Sequence, residues 1–260
     1  MDLTAVTGYR AARGRDDLAL APGEVFLAGG TWLYSEPQPA VTGLVDLTAL
    51  GWPALEELPG GGLRIAATCT IAELAAVRPF FHRCATALLA SFKVWHVATV
   101  GGNICRSYAA AAMVSLAVTL DGVALVWTPD GGSYRIPVAD LITGNGSNTL
   151  SPGEVLRAVD LPGPALAGRT AFRQIALATM GRSGAVLTGR LDPSGAVTLV
   201  ITAATLRPVV LRYPTLPTAG ALAADVTAVD GYYTDPLGPA DWRRQVSGVL
   251  LEEIRQELDS

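Results

Sequence analysis

The sequence predicts an α+β protein, with two small units of alternating strands and helices followed by an antiparallel sheet that helices cover. Three observations carry that expectation. Two apolar runs end in glycine pairs, Val25-Phe26-Leu27-Ala28-Gly29-Gly30-Thr31 and Val97-Ala98-Thr99-Val100-Gly101-Gly102-Asn103. The middle of the chain mixes helix caps with hairpin signals. After Pro162-Gly163-Pro164, closely spaced apolar runs lead into a long amphipathic C-terminal stretch. These features divide the chain into residues 1–52, 53–163 and 164–260.

In the first unit a short helical stretch is expected at residues 16–20. A strand at 25–28 follows, running into the first glycine pair. Pro37 and Pro39 mark a surface turn before a second strand at 44–47. The second unit opens after Trp52-Pro53 with a strand at 63–66. Thr70-Ile71-Ala72-Glu73 is a capping box that starts a helix through Val77, with Pro79 as its stop. Further helices are expected at 85–92 and 110–120. Strands at 123–127 and 133–136 flank Pro129-Asp130-Gly131-Gly132, a hairpin signal, and a strand at 154–161 closes the unit. In the third unit, residues 170–177, 184–191 and 197–203 read as antiparallel strands, the last two joined at Asp192-Pro193-Ser194-Gly195. Helices are expected at 218–224 and 239–258. Val246, Val249, Leu250, Ile254 and Leu258 recur at helical spacing as a core stripe.

The 260 residues suffice for a sizeable core. A net charge of −4 argues against a nucleic-acid partner. Charged residues interrupt every long apolar run, so no membrane span is expected. Met1-Asp2-Leu3-Thr4 opens without the basic and apolar regions of a signal peptide, which points to the cytoplasm. Cys69, Cys84 and Cys105 stand apart, unlike the grouped thiolates of an iron–sulfur cluster. With only His82 and His96 beside them, no zinc site is expected either.

The glycine pairs carry the chemistry. Glycine has no Cβ, so it can take positive φ and let backbone N–H groups approach a ligand closely. Either pair alone is equally what a tight turn after a strand requires. Taken together with the rest of the chain, the pairs resemble the FAD-binding (medium) subunit of the molybdenum hydroxylases, the xanthine dehydrogenase and carbon monoxide dehydrogenase family. That family carries an Ala-Gly-Gly-Thr-type loop and a Thr-Ile/Val-Gly-Gly-Asn loop about seventy residues later. Leu44-Val45-Asp46-Leu47, the run from Leu63 to Thr70, and Asp235-Pro236-Leu237-Gly238 with Trp242-Arg243-Arg244 match its other landmarks in order.

The resemblance implies a two-subdomain FAD-binding fold of PCMH-like type with a C-terminal flavoprotein domain. It places Ala28, Gly29, Gly30 and Thr31, and Thr99, Val100, Gly101, Gly102 and Asn103, around the cofactor diphosphate and ribityl chain. Ser107 is a further hydroxyl candidate, and Arg182 a candidate for the flavin pyrimidine edge. Trp52 and Trp95 are candidates for stacking, and His96 for a proton site, each against an ordinary packing role. The family commonly has aspartates where this chain has Tyr108 and Ala112, so that polar contact must come from elsewhere. The implied function is electron transfer within a complex: substrate oxidised at molybdopterin on a large subunit, electrons crossing 2Fe-2S clusters on a small subunit, and FAD here passing them on. The expected assembly is a heterotrimer, and this chain is expected to carry no catalytic acid, base or metal ligand. A stand-alone FAD-dependent oxidoreductase is the alternative, and a flavin-free scaffold the third reading.

Overall fold

The computed structural model describes residues 3–260; Met1 and Asp2, on which the signal-peptide reading partly rests, lie outside the described residues. In chain order the strands and helices are β1 (Gly8–Ala11), β2 (Glu24–Leu27), β3 (Gly43–Asp46), β4 (Leu55–Leu58), β5 (Gly62–Ala66), α1 (Ile71–Ala75), α2 (Pro79–Thr86), α3 (Phe92–Trp95), α4 (Val100–Arg106) and α5 (Ala112–Thr119). There follow β6 (Val123–Trp127), β7 (Ser133–Pro137), α6 (Val138–Leu141), β8 (Ile142–Gly144), β9 (Ser147–Asn148), β10 (Val155–Leu161) and α7 (Gly163–Ala167). The C-terminal part holds β11 (Arg169–Ile175), β12 (Ala185–Leu191), β13 (Val197–Thr202), β14 (Val209–Tyr213), α8 (Ala219–Ala228) and α9 (Ala240–Asp259).

Three principal sheets result. The first is parallel, in the order β1-β3-β2. The second is antiparallel, in the order β4-β5-β10-β6-β7. The third is an antiparallel meander, β11-β12-β13-β14. In β13 every residue is buried, so its Val-Thr-Leu-Val-Ile-Thr sequence is apolar on both faces apart from threonines. One face of this sheet meets α8 and α9 through Leu222, Leu251, Ile254 and Leu258. A Cβ on Gly189 would run into Ile254, so glycine there lets α9 lie close on β12. Toward the other face lies α5, whose eight residues are all buried. Its hydroxyls are matched to those of the sheet, Ser115 with Thr202 at 2.6 Å and Thr119 with Thr188.

The expected elements differ from the observed ones at several places. The helix begun by the capping box ends at Ala75, and Pro79 opens α2 at its first position instead of only stopping what precedes it. A missing N–H costs nothing there. The expected helix at 85–92 is therefore displaced: α2 stops at Thr86, Leu89 takes φ +50°, and Ser91 caps the short α3. The second glycine pair sits inside the first turn of a helix and does not close a strand. In α9 Val249 is exposed, and Leu251 takes its place in the core.

The matched Asp235 to Arg244 segment packs the C-terminus. Arg243 is fully buried; its Nε donates to Gly238 O at 3.1 Å, its Nη1 to Ala203 O at 2.6 Å, and its Nη2 pairs with Asp235. The guanidinium also lies 4.0 Å from the Tyr233 ring centre. Three different segments are thus tied by one side chain.

Candidate cofactor site

β2 delivers the first glycine pair to the C-terminal edge of the parallel sheet, the edge where open parallel sheets present ligand sites. Asp46 in the neighbouring β3 anchors this edge by accepting from Tyr9 Oη at 2.7 Å, from Thr48 N at 2.8 Å and from Thr48 Oγ1 at 2.7 Å. Burial would raise its carboxyl pKa, but the hydrogen bonds from Tyr9 and Thr48 outweigh this and hold it below the usual value. Gly30 has φ +65°, and a Cβ on it would stand 2.6 Å from the Tyr34 ring. Glycine is required at that point on both counts. Among the described residues, the backbone amides of Ala28, Gly29, Gly30 and Thr31 find no acceptor. Such orphan donors call for water or a ligand.

The second pair is built differently. Thr99 caps α4, its Oγ1 accepting from Gly102 N at 3.1 Å. The amides of Val100 and Gly101 donate to Cys69 O at 2.9 Å and Ala67 O at 2.8 Å, and that of Asn103 to Thr99 O at 3.0 Å. Gly101 lies so close to β5 that its Cβ would be 2.5 Å from Ala67 Cβ. The N–H groups from Val100 to Asn103 are therefore occupied within the protein, and the segment offers shape more than donors. Asn103 Oδ1 accepts from Met113 N at 2.9 Å, which joins α4 to α5.

The two pairs come together across a short gap. A Cβ on Gly29 would run into the Val97 carbonyl oxygen, so the first loop lies directly on the segment leading into α4. Between them opens a cleft of about 340 Å³, bordered by Ala28 and Gly29 from one side and Val97 and Thr99 from the other, with Trp52 and Thr68 beneath. Trp52 and His96 border the same cleft, whereas Trp95 packs edge-on to His82 with ring centres 5.6 Å apart. His96 Nδ1 is 2.9 Å from Phe92 O, one helical turn back.

The remaining candidates lie elsewhere. Ser107 is fully buried at the C-cap of α4 with φ +54°. Its hydroxyl donates to Ile104 O at 2.9 Å and accepts from Asn148 Nδ2 at 2.9 Å, closing the helix end. Arg182 is exposed in the connection between β11 and β12 and does not border the cleft. Ser115 in α5 is a further hydroxyl, but it is spent on Thr202. Two neighbours of the loops went unread in the sequence. The Arg106 guanidinium stacks 3.8 Å from the Trp32 ring centre and 4.3 Å from that of Tyr108. The available signal was spacing: Thr99, Gly102, Asn103 and Arg106 follow the i, i+3, i+4, i+7 pattern of one helix face. Burial pushes the Cys69 and Cys105 thiols up to about 12, which keeps them protonated and poor metal ligands.

Unpaired amides on a glycine loop, set against a second glycine-lined segment at a parallel-sheet edge, are donors of the kind that fit an anionic group such as a cofactor diphosphate. The family described as the FAD binding domain in molybdopterin dehydrogenase matches residues 14–164, both glycine segments included. The chain belongs to that family, and its cofactor is FAD. No curated protein sequence matches the chain. Its fold is similar to that of quinoline 2-oxidoreductase from Pseudomonas putida 86, with 20% identity, 99% of this chain and 98% of that chain covered, and a TM-score of 0.83. It is also similar to reconstituted CO dehydrogenase from Oligotropha carboxidovorans, with 21% identity, coverages of 95% and 96%, and a TM-score of 0.81. A carbon monoxide dehydrogenase from Hydrogenophaga pseudoflava that lacks the Mo-pyranopterin moiety aligns with 18% identity over 96% of each chain, at a TM-score of 0.80.

Proposed function

We propose that this chain is the FAD-binding electron-transfer subunit of a molybdopterin-dependent hydroxylase or dehydrogenase. It works in the cytoplasm with a molybdopterin-binding large subunit and a 2Fe-2S small subunit as a heterotrimer. The observation that carries the reading is the meeting of the two glycine segments, with the amides of the first left without partners. When bound, the flavin supplies the exchange between two-electron and one-electron chemistry that such a subunit needs.

The chain's own residues bind and orient. The amides of Ala28, Gly29, Gly30 and Thr31 take diphosphate oxygens; the Thr31 hydroxyl stands beside them. Thr99, Val100, Gly101, Gly102 and Asn103 form the opposite wall, where the absence of a side chain at Gly102 leaves room along the exposed face of α4. Trp52 and Val97 exclude water from the cleft between. In this reading residues 1–52 and 53–163 each contribute one wall, and residues 164–260 form the flavoprotein domain. In this reading no side chain transfers a proton to a substrate; His82 packs on Trp95, and His96, at the cleft border, has Nδ1 against Phe92 O.

The test is co-expression with the genes that neighbour this one. The expected product is a complex that contains molybdenum, iron and FAD, in which the substrate of the large subunit bleaches the flavin. A chain that purifies alone with FAD and rapidly oxidises a small organic substrate without metal would establish the stand-alone enzyme instead.

A further inference from the structure

We propose that Arg106 is the cation of the cofactor site, its guanidinium held by Trp32 and Tyr108 so that its remaining donors take an oxygen of the FAD diphosphate. The inference rests on the FAD reading above and adds a residue that neither glycine motif contains.

The placement comes first. Arg106 ends the helix that the second glycine segment opens, on the same helix face as Thr99, Gly102 and Asn103. Trp32, on which it stacks, directly follows Thr31 of the first loop. The side chain therefore joins the far ends of the two glycine segments, outside the part of the cleft that Ala28, Gly29, Val97 and Thr99 border. Its position is held by two rings and by a bond from Nη2 to Tyr108 Oη at 2.7 Å.

The unmet chemistry comes second. Arg64, Arg190 and Arg243 each face an aspartate. Among the described residues Arg106 faces no carboxylate within ion-pair distance. Its Nε is buried without an acceptor, and so is Nε1 of Trp32 beneath it. A partly desolvated guanidinium with unused donors is costly unless an anion completes it. The diphosphate is the charged part of FAD, and the orphan amides of the first loop offer it hydrogen bonds but no net charge. An arginine supplies both charge and hydrogen-bond donors.

The experiment titrates the apo chain with FAD by flavin fluorescence at low and at high salt, for the wild type, Arg106→Met and Arg106→Lys. We expect Arg106→Met to weaken FAD about tenfold or more at low salt, the usual size for a charge-assisted bond. Its affinity should then vary little with salt, since a screened ion pair has been removed. Arg106→Lys should bind FAD more weakly than the wild type yet keep the salt dependence. Wild-type affinity and salt response in Arg106→Met would overturn the proposal, as would an equal loss at both salt concentrations, the mark of a packing role. If Arg106→Met does not fold, a folded Arg106→Lys that has lost the salt response overturns it equally. Absence of FAD binding by the wild type would overturn the proposed function itself, and this inference with it.

Discussion

At the residue scale the glycines of the site divide by what a methyl group would meet. Gly29 faces the Val97 carbonyl, which is backbone and cannot move aside as a side chain can. Gly29→Ala should therefore push the two segments apart and abolish FAD retention in a chain whose circular dichroism is unchanged. Gly102 is exposed, and its Cβ would meet nothing nearer than Thr99 Oγ1 at 3.0 Å. Gly102→Ala should leave the fold as stable as before, because alanine favours helix by about 1 kcal/mol over glycine, while the new methyl obstructs the cofactor wall. Thermal melts with and without FAD distinguish the two variants: the first loses FAD-dependent stabilisation and basal stability, the second only the FAD-dependent part. Thr99→Ala should cost about 1 kcal/mol as the loss of an N-cap, read as a lower denaturation midpoint in the absence of cofactor.

At the element scale, what was legible in the sequence followed from local signals, and what was not depended on partners elsewhere. The capping box at Thr70 and Glu73 formed as read, with Glu73 Oε2 accepting from Thr70 N at 2.8 Å. The hairpin around Pro129 to Gly132 and the buried strands β12 and β13 also emerged as expected, since turn residues and apolar runs act over a few positions. The helix α4 was invisible because two adjacent glycines are poor helix formers. Tertiary contacts override that preference: Ala67 O and Cys69 O hold the first turn, and Ala67 leaves no space for a side chain at Gly101. The same contacts explain the site. Its residues were legible as a motif, but which amides are occupied depends on Ala67 and Cys69, just past β5 and far along the chain from both loops. Arg243 belongs to this scale too, since its role depends on Asp235, Gly238 and Ala203 together. Arg243→Met should cost on the order of 3–5 kcal/mol, the usual penalty for removing one member of a buried ion pair, with a clear fall in the urea midpoint.

At the scale of the whole molecule, acid should loosen the first and second sheets. Glu24 in β2 is bonded by Arg10 and by Ala21 N, and its carboxyl is held down from 4.5 to about 2. A depressed carboxyl contributes stability that is present above 4.5 and disappears as the pH falls toward about 2. Glu24→Gln should therefore be less stable than the wild type at neutral pH and converge on it in that acid window, measured by denaturant unfolding at several pH values. Asp160, paired with Arg64 at 2.7 Å and Arg135 at 2.6 Å, is likewise held below its ordinary value: burial opposes the shift and the two arginines outweigh it. It adds to the same loss on the second sheet. Because the first glycine loop leaves from β2, FAD affinity should fall over the same interval.

The burial of α5 has a consequence for how the chain opens. This helix presents its hydroxyls to the third sheet, while Arg190 of β12 reaches back to Thr119 O at 2.7 Å and to Asp121 at 2.6 Å. The family match ends at residue 164, yet the contacts that complete α5 lie beyond it. Amides within α5 can then exchange with deuterium only when the whole chain unfolds, whereas those of the exposed first loop exchange in any fluctuation. A fragment cut after residue 163 would carry its most protected helix with one side unsatisfied, and should aggregate instead of remaining a smaller working cofactor domain.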